Sequence, residues 1–223
     1  MNNKSIYLVT TPLKEIFPQD VKEAIGFIGN KNYDYLKSLN PKASEIIDIK
    51  SSWTNKDKLI SSNQYLSKLE IKFFKELIRA FNKVFDTNYT EVYWNIFLRP
   101  SAFSIMTFLF ERWSTIEDSC NSFNIISTNF SAEDHKQFVS DDIGDLNLKV
   151  CDSDIFNHFI YQEILKFKKI NYLQSKVKIE NLNLVIKNKE NIPLKYFKKI
   201  KIKNFIYLCK LLIKEINNQY NIL

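Results

Sequence analysis

The apolar positions of this chain change period twice. Short β-branched or apolar runs come first: Ser5 to Thr11 (SIYLVTT), Ile25 to Gly29 (IGFIG) and Glu45 to Ile49. Residues that interrupt a strand bound each run. Pro12 has no amide to donate and ends the first, Gly29 and Asn30 close the second, and the Asn40-Pro41 turn precedes the third. Polar segments of helix length lie between them, one opened by Pro18 and Asp20 as a short loop or helix. Strands spaced in this way predict a parallel α/β sheet rather than an antiparallel sandwich.

From Asn55 to Phe85 the period lengthens. Leu59, Leu66, Leu69, Phe73, Leu77, Phe81 and Val84 recur at steps of three and four, with Lys58, Lys68, Lys72, Lys75 and Lys83 off that line, which predicts one long amphipathic helix. The densest stretch of the chain, Tyr89 to Asp118, follows. Asn88 and Glu91 have the spacing of a capping box, and Pro100 predicts a kink or break near Leu98 to Ser101. A pair of helices or one bent helix, buried on most sides, is expected there. Phe123 to Ser127 reads as another strand, and Ser131 to Asp145 as an acidic loop with at most a helical turn. Leu146 to Cys151 alternates like an edge strand. Asp152 or Ser153 then caps a helix whose buried line is Phe156, Ile160, Ile164 and Phe167. Beyond Lys168 a β-like piece, Leu182 to Ile186, and Pro193 precede a last helix with Ile202, Phe205, Ile206, Cys209, Leu212, Ile213 and Ile216 at helical spacing.

Composition narrows the class. A chain of 223 residues with 45% hydrophobic and 26% charged residues supports a globular core, and a domain of this size buries roughly 70% of its unfolded surface. The longest apolar run, Ile96 to Phe110, is interrupted by Arg99, Pro100, Ser101 and Ser104, so no transmembrane helix is expected. The amino end has no signal-peptide pattern, and a cytoplasmic location is expected, with peripheral contact to the inner face of a membrane through the tail. Cys120, Cys151 and Cys209 match no zinc or redox spacing and are expected as buried reduced thiols. Three glycines, Gly26, Gly29 and Gly144, form no phosphate-cradling cluster, so a self-contained nucleotide-binding domain is disfavoured and no cofactor is expected. Charge is uneven: residues 165–223 carry 14 lysines against Glu180, Glu190 and Glu215, a net of +11, which leaves −4 on the first 164 of the overall +7.

Four clusters carry candidate chemistry. Asp152-Ser153-Asp154 has the form of a metal-binding Asp-x-Asp motif, but Asp and Ser at a helix start also cap free amides, and the cap is the preferred reading with no metal site expected. Asp154 and His158, four apart on one helix face, have the spacing of an acid-base pair or of an ordinary half-buried hydrogen bond; His135 is the other histidine. Asp141, Asp142 and Asp145 around Gly144 lack the ligand order of a calcium loop. The basic tail with Tyr172, Tyr196, Phe197, Tyr207 and Tyr220 suits anionic lipid or nucleic acid, but no reading module accompanies it, nucleic acid is not the expected partner, and a solvated basic face is the preferred reading. Glu111-Arg112-Trp113 is the sharpest cluster, because Arg clamps carboxylate or phosphate through two parallel bonds and Trp offers a flat face to a sugar; an internal ion pair beside a core indole uses the same residues.

YLVTTPLKEIFPQD, Ser52-Trp53 followed by KLISSNQYLSKLEIKFFKEL, the YWNIFLRP…FLFERWSTIED block and DSDIFNHFIYQEILK occur in that order over residues 5 to 168. Together they resemble the amino-terminal part of an uncharacterised transferase family found among surface-polysaccharide biosynthesis genes. Within the block, Arg99 replaces a glycine, Ser101 an aromatic residue, and Val92 an arginine. The resemblance implies an α/β, Rossmann-like parallel sheet with long flanking helices, similar to the acceptor-side half of a two-domain glycosyltransferase. Residues 1–168 would form that domain and 169–223 a basic, helix-ending extension packed on it. The implied protein is a truncated or split transferase that receives a sugar or glycan acceptor and relies on a separate donor-binding chain. The alternative is a non-enzymatic binding or scaffold protein using its basic tail on membrane or an acidic partner. Because ligands in open parallel sheets gather at strand carboxyl ends, Thr10 and Thr11 are the candidate cleft residues, with Glu111, Arg112 and Trp113 supporting or contacting the acceptor. No catalytic residue is singled out.

Overall fold

The computed structural model describes residues 4–29, 32–132, 138, 140 and 143–174. They fall into two compact units, one drawn from 4–50 and 115–174, the other from 51–114. The first unit holds β1 (Ser5–Val9), β2 (Ala24–Ile28), α1 (Tyr33–Leu39), β3 (Ile46–Ile49), β4 (Asn124–Phe130), α4 (Ile143–Asp152), α5 (Asp154–Phe167) and β5 (Tyr172–Gln174). The second holds a 3-10 turn at Ser52–Thr54, α2 (Lys56–Phe85) and the first part of α3 (Glu91–Ser122), whose residues 115–122 belong to the sheet unit.

All four strand pairings are parallel and the order is β3-β2-β1-β4-β5, a Rossmann-like α/β sheet as the resemblance implied. The chain lays strands outward from β1 to β3, then crosses back to β4 and continues outward on the other side. A parallel sheet must be covered on both faces, and β2 is buried at every position. Tyr7, Val9, Ile25, Phe27 and Ile46 form one apolar layer with Leu36 of α1 and Phe17 of the β1–β2 loop. The side chains of Ile6 and Ile49 close over Gly26, where an added Cβ would lie 2.6 and 2.7 Å from their Cδ1 atoms. The segment after Pro18 forms bends rather than a helix, α1 fills the polar segment of helix length between β2 and β3, and β5 is an element that the apolar pattern did not predict.

In the second unit, α2 and α3 form an antiparallel hairpin. Tyr65 stacks on Phe110, Glu70 pairs with Arg99, and Phe81 and Phe85 meet Trp94, so the partner on α3 moves back as α2 advances. Asn55 caps α2 by accepting from the amides of Asp57 and Lys58. Leu66, Leu69, Phe73 and Leu77 are buried as the stripe predicted, but Leu59 and Val84, at its ends, are exposed.

Asn82 shapes the connection. Its Oδ1 accepts from Thr87 Oγ1, the Tyr89 amide and Trp94 Nε1 at 3.0, 3.1 and 2.9 Å, while its Nδ2 donates to the Tyr89 carbonyl at 3.0 Å. These bonds hold Tyr89 outside the helix, so Thr90, whose hydroxyl accepts from the Tyr93 amide, caps α3 in place of the expected Asn88–Glu91 box.

Of the kink or break expected near Leu98 to Ser101, no break occurs: α3 is helical through Pro100. Trp94 anchored to Asn82 and Arg99 bonded to Glu70 hold the turns that lead into Pro100 against α2. The expectation of burial on most sides holds from Ala102 onward but fails before it, where Val92, Tyr93, Ile96 and Phe97 are exposed.

Residues 146–151, expected as a strand, lie in helix α4. Burial there falls at Asp145, Leu146 and Lys149 and skips Leu148, a helical spacing closed by the Lys149–Asp145 ion pair at 2.7 Å. Six alternating residues are too few to separate the two periods. Cys151 is exposed and Cys120 partly buried, so the expectation of buried thiols fails for the former; burial raises the Cys120 pKa, with nearby Lys168 opposing. Cys209, the piece at Leu182 to Ile186, Pro193, the last helix, and all of the 169–223 extension after Gln174 lie outside the described residues, as do His135, Asp141 and Asp142.

Candidate functional site at the carboxyl end of the sheet

In the order β3-β2-β1-β4-β5 the direction of winding reverses between β1 and β4, and the crevice beyond their carboxyl ends is where open α/β sheets bind ligands. Thr10 and Thr11 follow β1 directly, and Ser131 follows β4. Helix α5 reaches both strand ends. His158 Nδ1 lies 2.7 Å from Thr10 Oγ1, and one turn later Gln162 Nε2 donates to Ser131 Oγ at 2.7 Å. All five of these residues are buried.

Helix α5 forms where it does because Ser153 accepts from the Phe156 amide as its N-cap and Asp154 favours the positive end of the helix. Ser153 therefore has the capping role preferred for Asp152-Ser153-Asp154, and Asp152 is exposed. Among the described residues no cluster of three or more metal-ligating side chains occurs. The buried line predicted for this helix is present at Phe156, Ile160 and Ile164, while Phe167 is exposed.

His158 is 1% exposed, and burial, helped by the charge of Lys166, pushes its pKa down to about 3. The ring is thus neutral near pH 7, with one nitrogen carrying hydrogen and the other a lone pair. Nδ1 is engaged with Thr10, whereas Nε2 has no partner among the described residues. In either tautomer one buried polar atom awaits a complementary group, at a cost of about 1–3 kcal/mol while it is unmet. The partner of His158 is Thr10, not Asp154 four residues earlier, because Nδ1 points to the strand end.

Thr11 is enclosed, and its Oγ1 accepts from the Leu13 amide at 3.4 Å, shaping the turn out of β1. Nearby, Asn129 receives the hydroxyl of Tyr7 and donates to the Ile16 carbonyl at 2.7 Å, which ties β4 to β1 and its following loop. Burial raises the Tyr7 pKa, so its phenol stays protonated.

The other candidates belong to the hairpin unit. Arg112 Nη1 donates to Glu111 Oε2 at 3.0 Å and to the Phe108 carbonyl at 3.3 Å, and its guanidinium sits 5.6 Å from the centre of the Phe108 ring. Ser51 donates to Glu111 from the far side. Trp113 is enclosed in the core. The arrangement is an internal ion pair beside a buried indole, one of the two forms that the sequence allowed.

Sequence reasoning did not single out Ser131, Gln162 or the bond between His158 and Thr10. A signal was present: His158 and Gln162 stand one turn apart in a helix that is otherwise strongly apolar on that side.

Compared with known families, residues 6–222 match the description "LIC12162 family transferase". The chain belongs to that family. The match extends beyond the 5–168 over which the resemblance was read and includes the basic region to residue 222. No curated protein matches the chain, and no solved structure does. Membership of this transferase family makes the strand-end polar group the first place to look for a substrate contact. No helix among the described residues is long and apolar enough to cross a membrane.

Proposed function

We propose that this chain is the acceptor-side part of a sugar transferase acting in surface-polysaccharide biosynthesis. Its switch-point crevice, lined by Thr10, Thr11, Ser131, His158 and Gln162, receives a hydroxyl-rich acceptor. In this reading a separate donor-binding chain supplies the nucleotide-sugar. The observation that carries it is the Thr10–His158 hydrogen bond with its unpartnered Nε2, at the place where a Rossmann-like sheet gathers ligands. Membership of a transferase family supports the reaction class.

His158 then orients rather than deprotonates. A ring held near 3 is a weak base at neutral pH, but as a neutral imidazole it gives or accepts one directional hydrogen bond to a sugar hydroxyl without bringing charge into the site. The Glu111–Arg112 pair fixes α3 to Ser51 within the hairpin unit.

Calorimetric titration of the purified chain with hexoses, amino sugars and short glycans, and separately with nucleotide-sugars, tests the reading. Acceptor binding that weakens at least tenfold in His158→Gln and Thr10→Val is expected. Binding of nucleotide-sugars alone with no acceptor binding would contradict it, as would acceptor affinity unchanged in both variants.

A further inference from the structure

Seven large apolar side chains within 84–97 are exposed: Val84, Phe85, Tyr89, Val92, Tyr93, Ile96 and Phe97, with Val92 and Ile96 about 70% in solvent. Elsewhere in the described chain such residues occur singly or in pairs. Scattered exposure is ordinary, but a contiguous group marks a contact surface. This one is held in place from beneath. Tyr89, Tyr93 and Phe97 follow one another with tilted rings whose centres are 4.2 and 4.9 Å apart, and Trp94 is bonded to Asn82 and packed on Phe81 and Phe85.

The chemistry of its surroundings selects the occupant. Lys68, Lys72, Lys75, Arg79 and Lys83 recur at steps of four and three along α2, all exposed, and the row ends at Phe85 in the apolar group. The described hairpin residues 51–114 carry nine Lys and Arg against six Asp and Glu. Cations leading to a tyrosine-rich apolar tip suit an anionic bilayer, where ammonium groups lie among headgroups, aromatic rings take the interface and Val, Ile and Phe reach the acyl boundary.

We infer that the tip of the α2–α3 hairpin is a peripheral membrane contact for anionic lipid. The surface belongs to the hairpin unit, and the strand-end residues belong to the sheet unit. The inference does not depend on the acceptor reading.

Co-sedimentation of the purified full chain with vesicles of equal phosphatidylglycerol and phosphatidylcholine, against phosphatidylcholine alone, tests it at 0.1 M salt. Binding to the anionic vesicles is expected, falling at least fivefold in Val92→Gln/Ile96→Gln and several-fold in Lys68→Gln/Lys72→Gln/Lys75→Gln. Both variants change only exposed side chains and should keep the wild-type helical circular dichroism and thermal midpoint. The inference is overturned if the wild type ignores anionic vesicles, or if binding survives both variants and vanishes only when lysines after residue 174 are neutralised. It also falls if Val92→Gln/Ile96→Gln dissociates a dimer while leaving vesicle binding intact.

Discussion

His158 Nδ1 stands 2.7 Å from Thr10 Oγ1, which joins the middle of α5 to the carboxyl end of β1 across 148 residues of chain. A neutral, buried imidazole with one nitrogen satisfied and one unmet links folding to pH and to ligand. In the unfolded chain its pKa returns to the ordinary 6.5, against about 3 when folded. As pH falls, the unfolded state takes the proton first, so this contribution to stability is full above 6.5 and is lost progressively toward 3. By pH 5 the loss amounts to about 2 kcal/mol. Urea unfolding at pH 7.5 and pH 5 should therefore show the wild type losing about 2 kcal/mol more than His158→Gln. Equal losses would mean that the ring is charged or exposed in the folded protein.

Asn82 is the fastener of the hairpin turn, with four hydrogen bonds to Thr87, Tyr89 and Trp94. Asn82→Ala should cost about 2–3 kcal/mol, because it strands the Trp94 indole hydrogen as well as removing bonds. The emission of Trp94 should shift to longer wavelength as water reaches it. Fluorescence-monitored urea unfolding reads both quantities, and a stability change within about 0.5 kcal/mol would refute the assignment.

The Lys149–Asp145 pair is buried on both sides, with side-chain exposures of 7% and 6%. Removing one charge from such a pair costs more than removing both. Lys149→Met should destabilise by about 3 kcal/mol, and Asp145→Asn added to it should restore most of that. A double-mutant cycle measured by chemical unfolding checks the sign of the coupling.

Pro100 interrupts the hydrogen-bond ladder of α3 at an exposed position. Pro100→Ala restores an amide donor and should raise stability by up to about 3 kcal/mol. An increase in thermal midpoint with unchanged helical signal is expected; a decrease would show that the helix is bent at Pro100 and packed around the bend.

Local chemistry wrote much of this fold into the sequence. The first three strands, the long helix from Lys56 and the helix capped by Ser153 follow from runs and periods that no distant contact needs to decide. Leu146 to Cys151 and the Asn88–Glu91 box were misread for one reason. Each is a short pattern with two local solutions, and the selection was made elsewhere: by Asp145 beneath Lys149 for the first, and by Asn82, in the preceding helix, for the second.

By itself, the sequence determined the period of the main elements, the apolar face of α2 and the choice of Thr10 and Thr11 as strand-end residues. Only the tertiary structure decided that the winding reverses between β1 and β4, and that α5 lays His158 against Thr10 and Gln162 against Ser131. It also decided that one face of α3 before Ala102 stays in solvent. The physical reason is range. Backbone preference and amphipathic spacing act over a few residues, whereas strand order and the burial of a polar side chain depend on segments more than a hundred residues apart in the chain.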